Sequence, residues 1–252
     1  MRRTTIGFVV TAAFVWHHAC GQNRTVVDSL LQYLWTTNPD TSHVEIYLSL
    51  YYEFHRSNLD TAMVYARKGK SLAEELGYIR GLSASTYRLG TGYSNLRNFD
   101  LAENEFLQAV KYAELLRDNV ELSSAYSGLA KVYFGKNEFD QAASAYLKAL
   151  KLLSAANDRN SQARIFNELG ILYKKQLQYE KALTYYEEAL SIVRELNFLP
   201  GISSCLLNIG SVYIDLKDYQ KALPYLTESL GIKIATGDRL GEGRCRLNIG
   251  NL

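Results

Sequence analysis

The residues that most often do chemistry are thinly spread in this chain. The histidines are His17, His18, His43 and His55, and the cysteines are Cys20, Cys205 and Cys245. None of these histidines has a Cys, Asp or Glu at the close spacing that would let it ligate a metal on one helix or turn. No HExxH pair, no nucleophile elbow and no glycine loop that could cradle a phosphate occurs, because every Gly falls in a repeated position or a turn. The sequence therefore implies no catalytic residue and no cofactor. Cys205 and Cys245 stand 40 residues apart and alternate with Ser85, Ala125 and Ile165 in one repeated slot. A slot that accepts small and apolar residues is a packing slot, and free Cys packs like a small hydrophobe. Neighbouring helices lie about 8–10 Å apart, beyond the Cα separation of about 7 Å that a disulfide spans. No bridge is expected between them.

Polar residues at repeated positions are what remains. One stretch, Ile165 to Ile192, shows how they are placed. Phe166, Leu169, Gly170 and Tyr173 fall three or four apart and share one helix face; Ala182, Leu183, Tyr186, Ala189 and Leu190 share another. The polar link between the runs is short, so the two helices fold back as an antiparallel pair. Gly inside a helix costs about 1 kcal/mol relative to Ala, so Gly170 implies a partner helix too close for a side chain. A second face of the first helix carries Arg164, Asn167, Glu168, Ile171, Lys174 and Lys175, which lie on one side by their spacing.

The stretch recurs. Gly170 has counterparts at Gly90, Ala130, Gly210 and Gly250, and each step equals 210 − 170. Tyr173 recurs as Tyr93, Tyr133 and Tyr213; Tyr179 as Phe99, Phe139 and Tyr219. Ala182 recurs as Ala102, Ala142 and Ala222; Tyr186 as Phe106, Tyr146 and Leu226; Ala189 as Ala109, Ala149 and Ser229. A repeat of this length means a solenoid, because a single helical hairpin cannot bury its own apolar face.

The pattern Leu-Gly-x-x-Tyr, Tyr, Ala-x-x-x-Tyr-x-x-Ala-Leu resembles the tetratricopeptide repeat. The resemblance runs from Gly81 to Leu252, roughly two thirds of the chain, with a period longer than the family's basic one. The family's Trp slot holds Thr86, Tyr126, Phe166, Leu206 and Arg246, of which Arg246 fits packing least. The resemblance implies an all-α, right-handed superhelical solenoid of antiparallel helix hairpins. It also implies that the second face of each first helix lines a concave groove for a peptide or helix. Carried onto this chain, the groove residues are Arg88, Asn95, Lys131, Phe134, Arg164, Asn167, Lys174, Asn208 and Asn248. On the same face Arg88, Lys131, Arg164, Lys174, Lys175 and Arg244 are basic, against acidic Glu168 and Asp215. That bias implies a protein or peptide partner of acidic character or with a free carboxylate. Tyr87, Phe134 and Ile171 would supply apolar anchors.

The rest of the chain divides around these repeats. Residues 1–21 carry Arg2 and Arg3, an apolar run from Ile6 to Trp16, and Ala19-Cys20-Gly21. This reads as a secretory signal peptide cleaved before Gln22, which implies an exported protein, periplasmic or membrane-associated on the extracytoplasmic side. An uncleaved anchor, or lipidation at Cys20, is the alternative; His17 stands where a lipoprotein motif has an aliphatic residue. Residues 22–41 form a capping helix, with an apolar stripe through Val26, Val27, Leu30, Leu31 and Leu34. Residues 42–80 form a degenerate first hairpin, in which Leu50 replaces the Gly, Glu53 the Tyr and Leu59 the aromatic. Residues 81–241 form four hairpins. Their first helices are predicted to begin near Leu82, Leu122, Ala163 and Ile202, and their second helices near Phe99, Phe139, Tyr179 and Tyr219. Asn98 and Asp218 are predicted caps. Gly81, Asn157-Asp158, Pro200-Gly201 and Gly237-Asp238 are predicted links, and Pro224 is placed where the lost donor matters least. Residues 242–252 open a further first helix, and its lone half-hairpin predicts a longer protein.

Composition excludes other classes. Apolar residues make up 47% of the chain, enough for a folded core, so disorder is excluded. The net charge of +2 gives no reason to expect nucleic acid or an anionic membrane surface as partner. Membrane contact would come only through an anchor or a further C-terminal segment. Two function classes fit: a non-catalytic scaffold that binds a peptide or helix, and the sensory front of a larger signalling enzyme. The second follows from the resemblance of the leader, cap and repeats to the N-terminal regions of bacterial, Bacteroidetes-like sensor histidine kinases and nucleotide cyclases.

Overall fold

The computed structural model describes residues 24–252. The signal-peptide reading of residues 1–21, with Cys20, His17 and His18, lies outside them. The described residues form α1 (Arg24–Thr36), α2 (Thr41–Phe54), α3 (Leu59–Glu75), α4 (Ile79–Asn95), α5 (Phe99–Leu116) and α6 (Asn119–Gly135). They continue as α7 (Phe139–Ala155), α8 (Arg159–Lys175), α9 (Tyr179–Glu195), α10 (Leu199–Asp215), α11 (Tyr219–Ala235) and α12 (Arg239–Gly250), with no strand among them. The array is an all-α repeat solenoid. Helices α2 and α3, α4 and α5, α6 and α7, α8 and α9, and α10 and α11 pair as hairpins. First helices of neighbouring repeats also touch, as α2 with α4, α4 with α6 and α8 with α10. They therefore form an inner row, and the second helices form an outer one.

The second helices start where the aromatic pattern predicts. The first helices start about one turn earlier than predicted, at Ile79, Asn119, Arg159 and Leu199. The cause is at the links. A residue with positive φ recurs every 20 residues, at Gly77, Arg97, Arg117, Asn137, Asn157, Leu177, Asn197, Lys217 and Gly237. The following backbone N–H donates to the carbonyl five residues back, as in Asn98 to Tyr93 at 2.9 Å and Gln178 to Tyr173 at 2.9 Å. This is a Schellman ending, and the donor residue is already the N-cap of the next helix. Links within and between hairpins are thus alike. Asn98 and Asp218 cap as predicted, accepting from the backbone N–H groups of Leu101 and Lys221.

Gly81 and Pro200-Gly201 lie inside helices rather than in links. Proline is tolerated in a helix's first turn. A Cβ on Gly81 would meet the Tyr78 ring at 2.5 Å, and one on Gly201 the Phe198 ring at 2.6 Å. Where the N-cap is aromatic, its ring folds over the helix start and leaves no room for a side chain. Pro224 lies at the sixth position of α11, deeper than predicted. It removes the donor that would have reached the Gln220 carbonyl.

The repeated core glycines behave as predicted. A Cβ on Gly170 would lie 2.5 Å from the Tyr186 ring, one on Gly210 2.7 Å from Leu226, and one on Gly90 3.0 Å from Phe106. Gly250 faces nothing within 4 Å. In the Trp slot, Thr86 and Leu206 are buried, while Arg246 is exposed and pairs with Glu242 at 2.9 Å. Cys205 and Cys245 are free and buried, as expected. Burial pushes the Cys205 thiol up to about 12.

Candidate functional site

The inner row carries every residue assigned to the groove: Arg88 and Asn95 on α4, Lys131 and Phe134 on α6, Arg164, Asn167 and Lys174 on α8, Asn208 on α10 and Asn248 on α12. Several are brought together across repeats. The Asn208 amide donates to Asn167 Oδ1 at 2.8 Å. Lys131 pairs with Glu168 at 3.2 Å. Lys174 pairs with Asp215 at 3.2 Å and donates to Ser211 Oγ. Each is a rung between successive first helices. Its partners stand 37 or 41 residues apart in sequence, as in 168 − 131 and 208 − 167, two offsets that differ by about one helical turn and flank the repeat length. Arg80 with Glu121 continues the ladder to the α4–α6 step at 3.4 Å.

The ladder changes how the groove's charge is placed. Lys131 and Lys174 are neutralised locally by the two acidic residues of the same face. The remaining positive charge sits on Arg88, Arg164, Lys175 and Arg244. Lys174 is not a free surface side chain as the sequence pattern suggests; it ties α8 to α10. Phe134 is half-buried, edge-on to Phe139 at 5.9 Å, and packs into the core of α6 and α7. Tyr87 and Ile171 likewise pack on buried clusters, so these anchors present less apolar surface than their types suggest. Asn95 is exposed at the end of α4 and Asn248 is half-buried on α12. Neither is drawn into a rung.

Two buried tyrosines come up beneath the row from the second helices. Burial pushes the Tyr146 phenol well up, and the Glu168 charge adds to the shift. Tyr186 is shifted the same way by burial, then by Cys205, Glu168 and Asp215. Both phenols stay protonated at neutral pH.

The α2–α4 step differs. The Arg88 guanidinium lies over the Tyr52 ring at 4.6 Å, and its Nη1 donates to the Ala84 carbonyl at 2.9 Å. Its Nε is buried with no partner. Tyr51 is 3% exposed, its ring stacks on His55, and its hydroxyl also has no partner. The sequence pattern marks Arg88 but misses Tyr51 and Tyr52. The offset of 37 residues from Tyr51 to Arg88, the same as from Lys131 to Glu168, is the signal that finds the first.

Among the described residues no three His, Cys, Asp or Glu converge on a metal position, and no helix is long and apolar enough to cross a membrane.

The sequence model of the tetratricopeptide repeat matches residues 82–155 and 161–235. No curated protein matches the sequence. Among solved structures, the chain is similar to BtubC (BKLC) from P. vanneervenii, with a TM-score of 0.70 and 19% identity over 85% of this chain and 89% of that one. It is similar to a Rap protein complexed with competence and sporulation factor, with a TM-score of 0.72 and 15% identity over 87% and 62%. A signal transduction ATPase with numerous domains and a tetratricopeptide repeat sensor, from Pyrococcus horikoshii, gives a TM-score of 0.76 and 17% identity over 90% and 34%.

Proposed function

The chain belongs to the tetratricopeptide repeat family, and we propose that it is a non-catalytic scaffold whose inner row holds a peptide or helical segment of a partner protein. One observation carries the reading. The inner row is a run of polar side chains fixed in register by cross-repeat rungs, with the unpaired charges at Arg88, Arg164, Lys175 and Arg244 all basic. A rigid concave row steers a segment of opposite charge and loses little entropy when it is bound. The partner segment is therefore acidic or ends in a carboxylate. The similar structure of a Rap conjugation gene regulator in complex with the Phr* peptide supports a peptide as the ligand class. The leader-like residues 1–21 support an exported location.

A second reading is favoured by the Pyrococcus ATPase, in which a repeat sensor of this fold is one part of a signalling enzyme. There the scaffold would serve as the input region of a larger protein.

The test is selection of peptides from a random library on the whole chain, followed by affinity measurements. Arg164→Glu with Lys175→Glu should weaken the selected peptides at least tenfold and flatten their salt dependence. Glu187→Lys with Glu188→Lys, on the outer row, should leave them bound. The opposite pattern would move the binding surface to the outer row.

A further inference from the structure

The outer row carries one face whose charges and leucine serve no packing within the chain. On α7, Asp140, Ala143, Ser144, Leu147, Lys148 and Lys151 line a shallow, open groove along the solvent side of the helix. Leu147, near its centre, is 45% exposed. Lys148 is drawn over the Tyr126 ring at 5.3 Å. Asp140 at one end and Lys151 at the other are exposed, and neither has an ion-pair partner among the described residues. The order acid, small, leucine, base is self-complementary. An antiparallel copy of the helix, centred between Ala145 and Tyr146, sets Asp140 opposite Lys151 of that copy and Ser144 opposite its Leu147. A two-fold axis makes each contact twice, as an isologous interface does. Spacing alone carries no information here, because any helix face is symmetric in spacing. The residue types are what match.

The neighbouring second helix repeats the order. On α5, Asp100, Asn104, Leu107 and Lys111 hold the equivalent positions, and all are exposed. Asp100 already pairs with Lys136 at 2.7 Å, so α7 carries the central contact. The other second helices break the order. Helix α3 has Asp60, Val64, Arg67 and Ser71; α9 has Glu180, Thr184, Glu187 and Ser191; α11 has Gln220, Pro224, Thr227 and Gly231. An acid in the first turn suits the helix dipole. That accounts for Asp60 and Glu180, but not for a Leu and a Lys that follow at fixed distance on α5 and α7 alone. A two-fold axis running along the outer row brings α7 against α7 of a second copy and α5 against its α5. We propose that this α5–α7 face joins two copies of the chain as an antiparallel, two-fold dimer. Leu147 packs against Ala143 and Ser144 of the second copy, and the Asp140–Lys151 pairs close both ends. Helix α9, which would set Glu187 and Glu188 against themselves, lies outside the contact. The two inner rows stay open on opposite sides, so the dimer does not depend on the inner-row reading.

Two helix faces fall at or below the total of about 1,200–2,000 Å² that a stable interface buries. The dimer is therefore weak and forms in the micromolar range or above. Sedimentation equilibrium of the whole chain reads the association, and thermal unfolding checks the fold of each variant. Leu147→Asp should weaken the dimer at least tenfold. Asp140→Lys and Lys151→Glu should each do the same, because like charges then face each other. Mixing these two variants should restore association, since every charge again meets its opposite across the axis. The double variant Asp140→Lys with Lys151→Glu should associate as the parent does. These recoveries are decisive, because a loss alone could follow from a weakened start of α7. A chain that stays monomeric up to about 0.5 mM would overturn the proposal. Single reversals that associate undiminished, or a double variant no better than they are, would do so as well. So would loss of association by Glu187→Lys with Glu188→Lys, which would mean that Lys148 and Lys151 of one copy meet α9 of the next in an open-ended chain.

Discussion

The α2–α3 and α8–α9 hairpins solve one packing problem in opposite ways. In α8–α9 the first helix supplies Gly170 and the second supplies Tyr186, whose ring fills the space a Cβ would need. In α2–α3 the same two slots hold Leu50 and Ala66, both fully buried. The large side chain has moved to the facing helix. What the repeat preserves is the summed volume of the pair, so the first hairpin is compensated rather than decayed. Close-packed interiors tolerate volume-conserving exchanges far better than single changes.

The largest effect expected is that of Tyr186→Ala, which empties the α8–α9 contact and should cost about 3–5 kcal/mol in denaturant unfolding. Gly170→Leu should cost about 1–3 kcal/mol by overpacking. Combining them recreates the Leu50 and Ala66 arrangement, and much of the loss should be recovered. A double-mutant cycle showing plain additivity would end the comparison, since coupled neighbours differ from additivity by about 0.5–3 kcal/mol.

Alkaline unfolding compares the same two hairpins through their tyrosines. Burial raises the Tyr51 phenol from its ordinary 10.0 to about 12, with Arg88 opposing, and raises Tyr186 further in the same direction. A raised phenol contributes its full stability below the unfolded value. That contribution falls as pH rises from 10.0 towards 12, where only the unfolded chain has ionised. Tyr51→Phe should therefore reduce the loss of stability across that window, as read by urea midpoints at pH 9 and about 11.5. An unchanged loss would mean that Tyr51 ionises as readily in the folded chain. Smaller still is the α6–α8 rung. Lys131→Ala should cost less than about 1 kcal/mol, because its side chain is largely exposed. Lys175→Ala, with no partner to lose, should fall within about 0.5 kcal/mol of the parent in thermal unfolding.

The fold was legible because aromatic and small residues hold one register over several repeats. Tyr179 and its counterparts mark the second-helix starts to the residue. The first-helix starts were missed because turn chemistry was sought in Gly and Pro. Here most left-handed link positions are Arg, Asn, Leu or Lys, while Gly81 and Gly201 sit in helices under aromatic caps. Their φ is invisible in composition, although the 20-residue spacing is not. The candidate site was half legible. Helical spacing placed Arg88, Lys131, Asn167, Lys174 and Asn208 on one face, but a single helix says nothing about pairing between helices. Counting Lys131 and Glu168 as separate charges overlooked their offset of 37 residues, which makes them partners. Tyr51 was overlooked because its slot holds Thr91, Lys131, Ile171 and Ser211 elsewhere, and no residue type repeats there.

The ladder also labels each copy of the repeat. From α3 onward the helices share one step and one kind of link, so the backbone alone would accept the removal of any 40-residue unit there. The rungs would not. Excising residues 139–178 would rejoin the chain without a break in helix order, yet Lys131 would then stand opposite Asn208 instead of Glu168. Lys131 would lose its counter-ion and Asn208 its Asn167 partner. The α4–α6, α6–α8 and α8–α10 interfaces thus each carry their own polar address, readable only by the neighbour that follows. Such addresses disfavour slippage between look-alike repeats during folding, a hazard for any protein built from near copies of one unit.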